Sequence, residues 1–235
     1  MQHLSTVVLM AALLAAPLAY AAEQTAFTTW HNRLIIPEFE PLPPRHTPRY
    51  ADGTFVPPII TQDLQLTADN NPVLLAFAIY IPPHITVTIG PGTTLYAHEF
   101  AQLNVAGSLI INGAASHPVV FDTNETHPLN QVWGGVSLVA GGEAIINHAR
   151  FRHATPALAC LPGSRLSASA VDIEQTALGL YTESASCQLV HSRLRSFRDG
   201  IIAINVAPPN NRTTIIAKNA AIRKNHVRTL QVAPN

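Results

Sequence analysis

Between Ala149 and Thr229 the chain repeats itself. Phe151, Ile173, Leu194 and Ile222 stand 22, 21 and 28 residues apart, and the long gap contains "APPNNR", whose prolines and asparagines mark a loop insertion. Two residues before these anchors stand Ala149, Val171, Ser192 and Ala220, all small or apolar. Seven residues after them stand Leu158, Leu180, Ile201 and Thr229, three of them aliphatic. Gly179 and Gly200 each follow an anchor by six residues. Within a unit the apolar runs are short, bounded by turn residues and free of any 3.6-residue period, which is the pattern of strands. A unit of about 21 to 22 residues built this way cannot bury its own apolar face, so copies must stack, one coil per repeat, into a β-solenoid. Leucine-rich repeats have a similar period but need a Leu/Asn consensus and a helical side, and neither stands here.

In such a coil each strand pairs in parallel with its equivalent in the next, about 4.8 Å away, and successive residues point alternately in and out. The outward rows then read Arg150, Asp172, Arg193 and Arg152, Glu174, Arg195, Arg223. Sign alternates along the first three members of both, although the register rests on apolar residues alone. The step to Arg223 breaks the alternation across the longest gap. Earlier in the chain "ITVTIGPGTTLYA" fits the same scheme: Val87 and Ile89 line the interior, Gly90-Pro91-Gly92 turns a corner, and Leu95 opens the next wall. At this repeat length the chain holds about seven coils.

Composition narrows the function classes. Lys plus Arg equals Asp plus Glu at 14 each, so no basic field favours nucleic acid as a partner. Only 12% of residues are charged while 47% are apolar. The start, "MQHLSTVVLMAALLAAPLAYAAEQ", has an apolar run from Val7 to Ala19 and a small-residue Ala19-Tyr20-Ala21 site, the pattern of a secretory signal cleaved before Ala22. No other segment reaches the length of a membrane span, so a secreted or periplasmic mature chain is expected. The boundaries follow: residues 1–21 a signal peptide, 22–58 a Pro-rich arm carrying Trp30, Leu34, Ile35, Ile36 and Phe39, and 59–235 the solenoid.

The stretch "IYIPPHITVTIGPGTTLYAHEFAQLNVAGSLIINGAASHPVVFDTN", followed by "VWGGVSL", resembles the opening coils of bacterial secreted right-handed parallel β-helix proteins of the pectate-lyase-like superfamily. Ile79 to Thr93, Leu103 to Gly113, Pro118 to Phe121 and Trp133 to Val136 match successive phrases of that family, and "TQDLQLTADNNPVLL" is similar to its lead-in strand. The chain departs at Pro83-His84, where a glycine is common. The resemblance covers roughly residues 60–139 by motif and implies an all-β, right-handed parallel β-helix, a fold shared by enzymes and by non-catalytic surface proteins.

Chemistry is harder to find. A calcium-dependent lyase of this fold needs clustered carboxylates, but the stacked neighbours of Asp172 and Glu174 are arginines. Polygalacturonase-like motifs are absent, and Asp122 and Asp199 read as isolated turn acids. His148 and His191 share a row but sit two coils apart, about 9.6 Å, too far to share an ion, so the histidines read as corner or surface residues. No catalytic residue, metal or cofactor is expected. Asn124-Glu125-Thr126 and Asn211-Arg212-Thr213 match glycosylation sequons. Cys160 and Cys187 lie about five residues out of line in the coil register, which disfavours a disulfide and leaves two small apolar side chains.

Two features point to binding. Ala159, Tyr181, Ile202 and Leu230 follow the anchors by eight residues and form an outward apolar stripe, to be covered by the arm or by a partner. The chain's end, "VRTLQVAPN", stops within a coil, and an uncapped coil invites self-association. The expectation is an exported, non-enzymatic scaffold with a carbohydrate-binding or assembly role, the alternative being a polysaccharide lyase or glycoside hydrolase.

Overall fold

A computed structural model describes residues 49–126, 132–139, 141–195, 199–206, 214–218, 221–222 and 227–232, with backbone alone for 199–200 and beyond 202. Strands stack in parallel into three sheets, two of seven strands and one of eight. One coil shows the path: Arg165–Ser169 lies in the first wall, Asp172–Glu174 in the second and Leu178–Glu183 in the third, and Ser186–Val190 returns to the first. The whole is a parallel β-solenoid of about six turns.

The register has the spacing that the repeat implies. Phe151 lies opposite Ile173, Ile173 opposite Leu194, and Leu194 opposite Ile222. On the next wall Leu158, Leu180 and Ile201 are opposite one another. Alternation decides what fills the interior: along Glu143–Asn147, Ala144 and Ile146 are buried while Glu143 and Ile145 face out. Val87, Ile89 and Leu95 are buried on either side of the Gly90-Pro91-Gly92 corner, where Gly92 has a φ of +74° that a side chain would strain. An aromatic column strengthens the middle coils. Phe121 stacks on Phe151 with ring centroids 4.7 Å apart and also on Trp133, whose indole N–H donates 2.8 Å to the Arg152 carbonyl.

Corners are made largely without glycine. His148, Ala170 and His191 occupy equivalent corner positions with φ of 48°, 53° and 51°, and His153 and Gln175 do so at the following corner. Histidine is among the residues that tolerate this left-handed region best, so two of the row's three positions carry it for backbone reasons. At the departure from the family pattern, His84 takes the glycine-like conformation itself, at φ 68°.

Thr54–Phe55, within the Pro-rich arm, pairs with Val73 and Leu74 as the edge strand of its sheet, a place that prolines nearby allow. Two details differ from the sequence reading. In the last coil Val227, rather than Thr229, stands opposite Ile201. Ile202 accordingly faces Arg228, and Leu230 faces Ile204, so Leu230 does not continue the Ala159, Tyr181, Ile202 row. The cause is a corner shorter by two residues: Ile201 follows its anchor Leu194 by seven positions, Val227 follows Ile222 by five. The signal segment, the arm up to residue 48, Arg223 and the Asn211 sequon lie outside the described residues. Among the described residues no helix is long and apolar enough to cross a membrane.

Candidate functional site

The corner between the first and second walls opens into a groove of about 260 Å³. Its shape follows from the stacked corner row. His148 and His191 project on either side of Ala170, whose methyl group leaves a notch between them, and Arg150, Asp172 and Arg193 form the adjoining wall. Arg150 and Arg193 flank Asp172 in register, so the groove runs along the stacking direction across three coils.

Next to the groove the charged rows form a connected ladder. Asp172 accepts from Arg193 Nη2 at 2.7 Å and from Arg195 Nη2 at 3.1 Å, while Glu174 accepts from Arg152 at 2.7 Å and from Arg195 Nη2 at 2.8 Å. Both carboxyl side chains are mostly covered, at 12% and 20% exposure, whereas Arg193 remains 59% exposed. Each acid is thus held between two arginines. Arg150, opposite Asp172, is exposed and makes no ion pair with a described residue. Four guanidinium groups stand against two carboxyls, and the face is cationic. Exposed pairs of this kind stabilise the fold by at most about 1 kcal/mol each, so their arrangement bears on ligands more than on folding.

A second polar cluster closes the start of the described chain onto the solenoid. Asn124, 1% exposed, accepts from the Tyr50 N–H at 2.9 Å and donates to the Tyr50 carbonyl at 2.8 Å, which fixes the orientation of its amide. Its Nδ2 also donates to His98 Nε2 at 2.9 Å, so that ring nitrogen is the bare acceptor of a neutral imidazole. Burial lowers the His98 pKa and favours that form. Arg49 lies over the Tyr96 ring and 3.6 Å from Asp122, which approaches His153 Nε2 from its other oxygen. Asp122 is therefore a buried clasp residue, and the sequence reading of it as a turn acid is corrected. Asn124, the acceptor of a matched sequon, is sealed inside the same clasp. The signal that was available is the run "FDTNET", where five polar residues follow Phe121 with no glycine or proline among them.

Removing the clasp has a measurable effect. Asn124→Ala deletes both bonds to Tyr50, and cleavage by trypsin after Arg49 is expected to accelerate about tenfold, the equivalent of ~1.4 kcal/mol of local opening. An unchanged cleavage rate would show that Asn124 does not hold this segment.

The apolar row on the third wall is not an open stripe. Ala159 and Tyr181 are 5% and 8% exposed and pack with Leu161, Leu178 and Ile202 in a small cluster apart from the main core. The Tyr181 hydroxyl donates 3.0 Å to Glu183, and burial together with that carboxylate raises its pKa, so it stays a neutral donor. Among the described residues the exposed large apolar side chains lie mostly on the first coils, at Phe55, Ile59, Phe77, Tyr80 and Phe100, with Ile145 further along. A scan against protein-family models and searches of curated proteins and of solved structures return no match for this chain.

Proposed function

We propose that the protein is an exported, non-enzymatic β-helix scaffold, akin to secreted pectate-lyase-like proteins, that binds acidic polysaccharide along its arginine face. The observation that carries this reading is the excess of guanidinium over carboxyl groups beside the groove between His148 and His191. Arginine presents a planar fork that matches a carboxylate with two parallel hydrogen bonds. Asp172 and Glu174 already occupy three of the four forks, and Arg150 is the one turned to a ligand. A shallow groove running along the coils suits an extended chain better than a compact molecule. Hydrolysis at this place would need two carboxyls free to act as acid and base, and both are committed to arginines.

The test compares a polyuronate with a neutral glucan by isothermal titration. Polyuronate is expected to bind and the neutral glucan not, with affinity falling as salt is raised. Arg150→Ala is expected to weaken polyuronate binding about tenfold or more, from the loss of a charged hydrogen bond of roughly 1.5 kcal/mol. Equal binding of both glycans, or binding insensitive to salt, would contradict the reading and point to the exposed Phe77 and Phe100 face. New reducing ends or unsaturated products in the polyuronate sample would support the lyase or hydrolase alternative.

A further inference from the structure

Cys160 and Cys187 are out of line along the coil, yet both lie beside Thr182 in the interior. Cys160 ends the strand Leu158–Cys160 of the third wall, points inward at 0% exposure, and lies opposite Thr182 of the next coil. Thr182 is itself buried, and the Cys187 thiol donates to its Oγ1 at 3.4 Å. Cys187 points inward from the first wall at 1% exposure, just past the corner that follows Thr182. Inward side chains of adjoining walls converge at a corner, so a residue late on one wall and a residue early on the next, one coil apart, approach each other in the core. The Cys187 thiol and burial both raise the Cys160 pKa, while the neighbouring Cys160 lowers that of Cys187.

We propose that Cys160 and Cys187 are a disulfide site that staples two consecutive coils diagonally across the corner between the third and first walls. The thiols are unbonded in the structure, and the Cys187 sulfur lies 3.4 Å from the hydroxyl of Thr182, which stands directly opposite Cys160 on the neighbouring coil, so both sulfurs face the same part of the interior. The oxidant is a disulfide of the glutathione class. The Cys187 thiolate attacks one of its sulfurs, forming a mixed disulfide and releasing a thiolate. Cys160 then gives up its proton and attacks the Cys187 sulfur, releasing the second thiolate. The protein loses two protons and two electrons, and the oxidant becomes two thiols. Because both sulfurs are buried, the reaction belongs to folding or to opening of this corner.

The full chain is reduced, unfolded, and refolded in a reduced and oxidised glutathione mixture, then unfolded again and labelled with a maleimide. No label and a mass about 2 Da below that of the reduced chain are expected. Tryptic peptides 153–165 and 166–193 should then appear as one reducible linked pair, and Cys160→Ser should abolish that species and leave no internal bond. Two labelled thiols in a refolded chain with β-sheet circular dichroism, or cysteines linked only between chains, would overturn the proposal.

Discussion

Phe151→Ala is expected to lower the free energy of unfolding by about 3 to 5 kcal/mol, read from the midpoint and slope of urea denaturation. Phe151 has no exposed surface, stacks face to face on Phe121 at an interplanar angle of 9°, and has Ile173 opposite on the following coil. Ladder hydrogen bonds space the coils, so neighbours cannot close over the space that the ring leaves, and the cavity term adds to the lost burial. A solenoid coil touches chiefly its two neighbours, so damage here also weakens the coupling between the coils on either side. Phe151→Leu keeps much of the volume and should cost less, about 1 to 1.5 kcal/mol. A cost below about 1 kcal/mol for the alanine variant would show that this column is not the tightly packed centre described above.

Gly135→Ala is the second large effect. Gly135 has a φ of +68°, and an added Cβ would sit 2.0 Å from the Pro156 carbonyl oxygen and 2.6 Å from that of Ala157. Both obstacles are backbone of the next coil and cannot swing aside. The substitution therefore either forces two coils apart or breaks the Val136 ladder, and a loss of about 3 kcal/mol or more is expected. Gly141 separates conformation from contact. Its φ is +82°, but nothing lies within 4 Å of its Cβ position, so Gly141→Ala should carry only the left-handed penalty of about 1 to 2 kcal/mol. Equal costs at the two positions in the same denaturation experiment would refute the close approach as the cause.

These two sites show why parts of the fold were legible in the sequence. Inward residues such as Phe151, Ile173 and Leu194 must be apolar in every coil, so their spacing survives as a pattern and carries the register with it. The arginine and acid rows follow because one register places every residue of a wall at once. Where a corner changes length the inference fails beyond it, as at Ile222 to Val227, and the assignment of Leu230 fails with it. Contacts between different walls leave no period at all. The clasp of Asn124 on Tyr50 joins residues 74 apart, and the contact of Cys187 with Thr182, the register partner of Cys160, depends on how a corner folds inward. The groove was hidden for a related reason: it is made by the small size of Ala170 between His148 and His191, and a missing side chain has no signature when rows are read only for charge and hydropathy.

The claim beneath all of this is that residues far apart in sequence share one column at one coil spacing. Thr86, Ser108, Glu143, Arg165, Ser186 and Thr214 form such a column on the first wall. Electron–electron double resonance between nitroxide labels at Thr86 and Ser186, and between Thr86 and Thr214, measures it directly. Backbone separations of about 19 Å and 24 Å are expected, four and five coil steps of about 4.8 Å, broadened by the label linkers. A second distance no longer than the first, or either one far beyond 30 Å, would contradict the stacked coil.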